Sequence, residues 1–209
     1  MSVDKKLINE LINVTSKAAL SASYLVGKKD KIAADKAAVD SMRFELNKMD
    51  IKGTIVIGEG ELDEAPMLYI GEEVGNKKGP ELDIAVDPLE GTNFVANNLP
   101  GALAVLAVAE KNNLLNAPET YMEKISTKVK EKNVVDLDYS VKKNILNLSE
   151  YLNKKPEDLT ACILDRPRHT KIINELNDLN VNIKLITDGD ICGALLVTDE
   201  KYNVDIFLG

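Results

Sequence analysis

The chain has 209 residues, 44% of them hydrophobic, enough to bury a substantial core and to exclude a disordered or fibrous protein. A formal net charge of −8 opposes non-specific attraction to nucleic acid or to anionic membrane surfaces. The longest apolar run, Gly101 to Ala109, is far short of the roughly 20 residues of a membrane helix.

Residues 4 to 26 carry Leu7, Ile8, Leu11, Ile12 and Ala19 at helical spacing and stop at Gly27, and a second helix is expected over about 31 to 48. A short strand, T-I-V-I at 54 to 57, leads into the acidic stretch G-E-G-E-L-D-E, with a helix expected near 66 to 74. Leu82 to Val86 forms the next strand, running into D-P-L-E-G-T, and Ala102 to Ala109 reads as a buried strand. After the charged stretch 126 to 133 the pattern alternates. Helix (Val141, Ile145, Leu148, Leu152), strand 159 to 164, helix 170 to 178, strand 183 to 186, helix 190 to 197 and strand 204 to 208 follow in turn. Strands separated by helices imply parallel crossovers, with ligands bound beyond the carboxyl ends of the strands. Those ends read R-P-R at 166 to 168 and D-G-D at 188 to 190, and the final strand is expected to stand uncovered, with no helix after it. The fold class is therefore α/β, with a first lobe over 1–130 and the start of a second over 131–209.

No apolar signal segment opens the chain, so the cytoplasm is the expected location. Cys162 and Cys192 lack a Cys-x-x-Cys spacing and read as reduced packing residues. His169 is the single histidine, which rules out a multi-histidine metal site and disfavours a Ser-His-Asp triad. Chemistry must then run largely on carboxylates.

Alternation along the strand puts Asp83, Ala85 and Asp87 on one face. Asp87 and Glu90 lie within one turn of each other, with Pro88 fixing the backbone, so their carboxylates can converge on a hard cation. Gly91 permits close backbone approach, and Thr92 offers a hydroxyl and an N–H to a phosphate. A plain surface turn uses the same residue types, but the order of groups suits a metal site. Glu59, in the second acidic loop, is a further ligand candidate, although alone it reads as a solvated glutamate. Asp35 falls in register with Val39, Met42 and Leu46, the core-facing stripe of its helix, where a carboxylate seldom points without a partner; a favourable first-turn position explains it equally well. Lys31, one turn earlier, can pair with it or reach a phosphate. Arg166 and Arg168, flanking Pro167, have the charge and fork geometry for phosphate, or are simply exposed arginines. Asp188 and Asp190, around Gly189, can accept bonds from sugar hydroxyls, although D-G-D is also a common turn. Tyr121 can stack on a ligand or be an ordinary half-buried tyrosine.

Seven segments together resemble the class II (bacterial, GlpX-type) fructose-1,6-bisphosphatases of the lithium-sensitive, metal-dependent sugar phosphatase superfamily. They are K-I-A-A-D-K-A-A-V-D-S-M-R, G-T-I-V-I-G-E-G-E-L-D-E-A-P-M-L-Y-I-G-E, L-D-I-A-V-D-P-L-E-G-T, A-L-A-V-L-A-V-A-E, L-N-A-P-E-T-Y-M-E-K-I, I-L-D-R-P-R-H and I-T-D-G-D. The resemblance implies a layered α-β-α-β-α sugar-phosphatase fold with its last part missing. It also implies that Asp35, Glu59, Asp87 and Glu90 bind Mn2+ or Mg2+, with Glu59, Asp87 and Glu90 catalytic. Glu90, Gly91, Thr92, Tyr121, Arg166, Pro167, Arg168, Asp188, Gly189 and Asp190 would contact a sugar bisphosphate. The implied reaction is hydrolysis of the 1-phosphate of fructose 1,6-bisphosphate in gluconeogenesis, with sedoheptulose 1,7-bisphosphate a second substrate for some members. The implied assembly is a homo-oligomer. Family members continue past Gly209 with a glycine-rich segment bearing a further glutamate ligand, so a truncated, inactive metal- and phosphate-binding remnant, or half of a split phosphatase, is the alternative expectation. An inositol phosphatase of the same superfamily is disfavoured by the class II segments.

Overall fold

The computed structural model describes residues 5–58, 68–116 and 120–209. The chain divides into two compact units, Met1–Thr120 and Tyr121–Gly209. The division falls earlier than the boundary at 130 expected from the sequence, because a short strand at Ile125–Thr127 pairs with the last strand of the second unit.

In the first unit, helices α1 (Lys5–Ser23) and α2 (Lys31–Leu46) pack on each other and on a sheet. The sheet order is β2-β1-β3-β4, from β1 (Lys52–Ile57), β2 (Glu73–Val74), β3 (Glu81–Glu90) and β4 (Leu103–Glu110). Helix α2 starts where Asp30 accepts the Ala33 N–H at 2.9 Å, satisfying one of the orphan donors of a helix N-terminus. The inward stripe of α1 is Val14, Ala18 and Ala22, flanked by Leu7 and Leu11, whereas Ile8 and Ile12 of the expected stripe are 44% and 57% exposed. Small residues at 18 and 22 let the two helices approach closely. Ala34, Ala38, Val39, Met42 and Leu46 of α2 meet Ile55, Ile84 and Val86 in one core.

Two expectations fail here. Residues 68–74 are not helical: Gly71 takes φ +92° and Glu73–Val74 pairs antiparallel with β1, so sheet pairing overrides the apolar pattern. Strand β4 is an edge strand, half-exposed along its length, because only its Ala104, Leu106 and Val108 face the helices.

The second unit holds a sheet of order β5-β8-β6-β7, from β5 (Ile125–Thr127), β6 (Thr160–Leu164), β7 (Asn182–Ile186) and β8 (Ile206–Leu208). Strand β6 is parallel to both β7 and β8, as the alternating pattern required. Ala161, Ile163, Ile206 and Leu208 face the core shared with α4 (Val141–Leu152) and α5 (Thr170–Asp178). Cys162, Leu164 and Phe207 face the opposite side, with Leu196 of α6 (Asp190–Leu196). Period-two alternation thus feeds two apolar faces, both covered by helices. Strand β8 is not an uncovered edge: β5 and β6 flank it and all three of its residues are buried. Both cysteines are free, and burial pushes the Cys162 thiol up to about 11, the behaviour of a packing residue.

No helix among the described residues is long and apolar enough to cross a membrane.

Candidate active site

In the first unit, the segment D-P-L-E-G-T does not leave the sheet at Asp87; β3 continues to Glu90 with a register irregularity between Asp87 and Glu90. Across it three steps of β3 face two of β4, so Pro88, which has no N–H to give, falls at a bulge that tolerates it. Asp87 Oδ1 accepts the Leu89 N–H at 3.1 Å and thereby holds the bulge, while Glu90 is 9% exposed and still paired opposite Leu103. Gly91 then turns the chain at φ +83°, and Thr92 opens the short helix α3 (Thr92–Ala96). A Cβ at Gly91 would stand 2.7 Å from the Phe94 ring, so the turn requires glycine for both conformation and space. Two backbone bonds, from Gly27 to Val95 O (2.8 Å) and from Lys29 to Ala96 O (3.0 Å), tie α3 to the loop that precedes α2.

Helix α2, which packs against β3 and α3, carries Asp35. Its Oδ1 is buried with no hydrogen-bond partner among the described residues, and desolvation raises its pKa above the ordinary 3.8. Lys31 is exposed and makes no ion pair with it among the described residues. An orphaned, desolvated carboxylate oxygen is the mark of a group whose partner is something other than the described side chains. All the donors at hand are oxygens, the type a hard divalent cation takes. Among the described residues, however, no three of His, Cys, Asp and Glu gather closely enough to hold a metal ion. Glu59 lies outside the described residues.

In the second unit the parallel strands send their carboxyl ends to one edge, and antiparallel β5 begins there. Arg166 follows β6 and its Nη2 lies 3.9 Å from Asp188 Oδ1, beyond β7. Pro167 opens a single 3-10 turn, Pro167–His169, that presents Arg168 to solvent. The Arg168 guanidinium lies over the Tyr121 ring at 4.0 Å, a cation–π contact, and Tyr121 is 76% exposed rather than half-buried. His169 is buried, its Nδ1 2.9 Å from Leu164 O, where it anchors the turn. Gly189 turns at φ +83°, and Asp190 is the first residue of α6. Asp190 Oδ1 is buried without a hydrogen bond among the described residues, although Lys124 Nζ stands 3.7 Å away as an ion-pair partner. Lys124 carries no periodic signal in the sequence; it lies three residues from Tyr121, just before a strand, Ile125–Thr127, too short to show a period.

Comparison with known proteins gives the arrangement its context. The family described as bacterial fructose-1,6-bisphosphatase, glpX-encoded, matches residues 5–209. A Synechococcus sp. (strain JA-3-3Ab) protein named D-fructose 1,6-bisphosphatase class 2/sedoheptulose 1,7-bisphosphatase is 46% identical over 205 residues, covering 92% of this chain and 59% of that protein. Fructose-1,6-bisphosphatase 1 class 2 of Escherichia coli (strain K12) is 46% identical over 205 residues, covering 98% of this chain and 61% of the relative. A Trichodesmium erythraeum (strain IMS101) protein with the same name as the Synechococcus one is 42% identical over 212 residues, covering 96% and 61%. The chain spans about three fifths of the length of the curated relatives it matches. With the family matching nearly every residue from Lys5 to Gly209, this chain belongs to the bacterial, glpX-encoded fructose-1,6-bisphosphatase family.

Proposed function

We propose that the chain serves hydrolysis of the 1-phosphate of fructose 1,6-bisphosphate, giving fructose 6-phosphate and phosphate, with sedoheptulose 1,7-bisphosphate as a second substrate and Mn2+ or Mg2+ as cofactor. The observation that carries it is the convergence of Arg166, Arg168, Tyr121, Asp188 and Asp190 on the carboxyl edge of the parallel strands, in a chain of this family. Arginine forks suit phosphate, and aspartates beside them suit sugar hydroxyls. The layered α-β-α-β-α arrangement of the sugar phosphatases and a homo-oligomeric assembly belong to the same reading.

Asp35, Glu59, Asp87 and Glu90 would hold the metal. When bound, a divalent cation lowers the pKa of a water and offsets charge on the leaving oxygen. The residues themselves do the rest. Asp87, its Oδ1 already engaged by Leu89 N–H, is held in one orientation, and Glu90 is kept in place by ladder pairing on a buried strand end. Thr92 offers its hydroxyl and N–H to the phosphate at the start of α3. Arg166 and Arg168 would receive the sugar phosphate, and Asp188 and Asp190 its hydroxyls.

The test is metal-dependent phosphate release from fructose 1,6-bisphosphate by the purified chain. Turnover is expected with Mn2+ and not with a chelator present. Asp87→Ala should lower it by more than the 10–100-fold typical of outer-shell changes at metal sites. A folded chain that releases no phosphate would overturn the claim for this polypeptide, and full activity in Asp87→Ala would overturn the site.

A further inference from the structure

Lys124 stands beside the groups assigned to the sugar phosphate, yet nothing so far gives it a task. Its backbone is fixed at the strand edge by a reciprocal pair of bonds: Lys124 N–H donates to Gly209 O at 2.6 Å, and Gly209 N–H donates to Lys124 O at 3.0 Å. Its ammonium donates to Met122 O at 3.0 Å and lies 3.7 Å from Asp190 Oδ1, close enough for attraction and too far for a hydrogen bond. An ammonium has three N–H donors, so two remain uncommitted among the described residues. Asp190 Oδ1 is likewise an acceptor without a hydrogen bond.

A spare cationic donor next to a spare anionic acceptor is complementary to a phosphorylated sugar, whose phosphate accepts and whose hydroxyl donates. Lys124 opens on a cleft of about 360 Å3 that Arg168 and Lys171 also line, with Glu123 and Glu175 as acidic side chains, while Asp190 stands beside Lys124 outside that lining. Lys124, Arg168 and Lys171 thus bring three cationic side chains to one cleft, in a chain whose overall charge is −8. Lys124, at 31% side-chain exposure, is accessible from the cleft and only partly screened by solvent.

We propose that Lys124 is a further substrate-binding residue, donating to the phosphate of the sugar while Asp190 beside it accepts from a hydroxyl. This rests on the sugar bisphosphatase reading above and adds to it a residue and a pairing. The charge neighbour also explains how Asp190 can keep a buried oxygen free for a ligand, since Lys124 offsets its charge without occupying it.

Fructose 6-phosphate, which carries the phosphate and hydroxyls but undergoes no turnover, is the probe. Its binding to the 209-residue chain is measured by calorimetry for the parent, Lys124→Gln and Lys124→Arg, alongside KM and kcat for fructose 1,6-bisphosphate with Mn2+. Lys124→Gln should weaken fructose 6-phosphate about tenfold and raise KM by a similar factor with kcat within about twofold, and Lys124→Arg should recover most of the loss. Circular dichroism melting tells folding from binding. If Lys124→Gln melts early, Lys124→Arg decides: a folded arginine variant that binds as weakly as the glutamine one overturns the assignment. Parent-like binding by Lys124→Gln overturns Lys124 and leaves the bisphosphatase reading standing. No binding of fructose 6-phosphate to the parent overturns both.

Discussion

Asp35 shows most clearly what one residue can and cannot tell. Its place on the inward stripe of a helix was legible from spacing, but two explanations stood level until the surroundings were known. Burial of Oδ1 without a hydrogen bond among the described residues supports the inward reading, because a first-turn carboxylate favoured only by the helix dipole would stay solvated. The raised pKa has a definite sign. Below the ordinary 3.8 the carboxyl is protonated whether folded or unfolded, and no penalty exists. As pH rises through the raised folded value, the folded chain alone resists ionisation, and the penalty is complete above it. Asp35→Asn is therefore expected to melt at a higher temperature than the parent at neutral pH in chelator, with the difference shrinking as pH falls towards 4. Adding Mn2+ should raise the parent's midpoint and leave the variant's nearly unchanged. Thermal melts across pH, with and without Mn2+, check both parts; an unchanged midpoint in chelator would remove Asp35 from the desolvated set. Tyr121 makes the opposite point, since its exposure and its stacking on Arg168 depend on a turn forty-odd residues away that no local pattern announces.

At the level of elements, the helices and strands of the second unit were readable because each satisfies itself locally. Thr170–Asp178 matches the expected range, and Ser140 caps α4 by accepting the Lys143 N–H at 3.2 Å. The misread stretch at 68–74 depends instead on distant partners. Arg43 on α2 binds Glu72 twice, Nε to Oε1 at 2.6 Å and Nη2 to Oε2 at 3.0 Å, and Glu72 Oε2 also accepts the Tyr69 N–H at 3.3 Å. With side-chain exposures of 21% and 13%, the pair is sheltered enough to matter. It pins Tyr69–Glu72 to the helix that carries Asp35. Arg43→Ala should cost roughly 2–4 kcal/mol, because it leaves a sheltered carboxylate unpaired. Urea unfolding measures it, and a loss under about 0.5 kcal/mol would class the pair with ordinary surface salt bridges.

At the scale of the whole molecule, the described residues form three apolar clusters, one around Met42, Ile55 and Ile84 in the first unit, and two on the faces of the second sheet, around Ile145, Leu148 and Ile163 and around Cys162, Leu164 and Phe207. Leu148 is fully buried, so Leu148→Ala should lower the stability of the second unit by about 2–5 kcal/mol. Hydrogen exchange of amides in residues 121–209 reads it directly, and unchanged protection there would contradict the packing. By itself the sequence determined the alternation of helix and strand in the second unit, the parallel direction of its main strands and the residue types of the candidate site, since periodicity and strand-end position are local. Only the tertiary structure decided that β8 lies inside its sheet, that β4 is an edge, and that Lys124 stands beside Asp190. Each of those depends on pairing between segments far apart in the chain: Ile125–Thr127 against Ile206–Leu208, Leu103–Glu110 against Leu82–Glu90 alone, and a three-residue strand placing a lysine at a helix start. D-P-L-E-G-T, legible as a carboxylate turn, turned out to be a bulged strand end whose shape is set by Asp87 and by the glycine that must make room for Phe94.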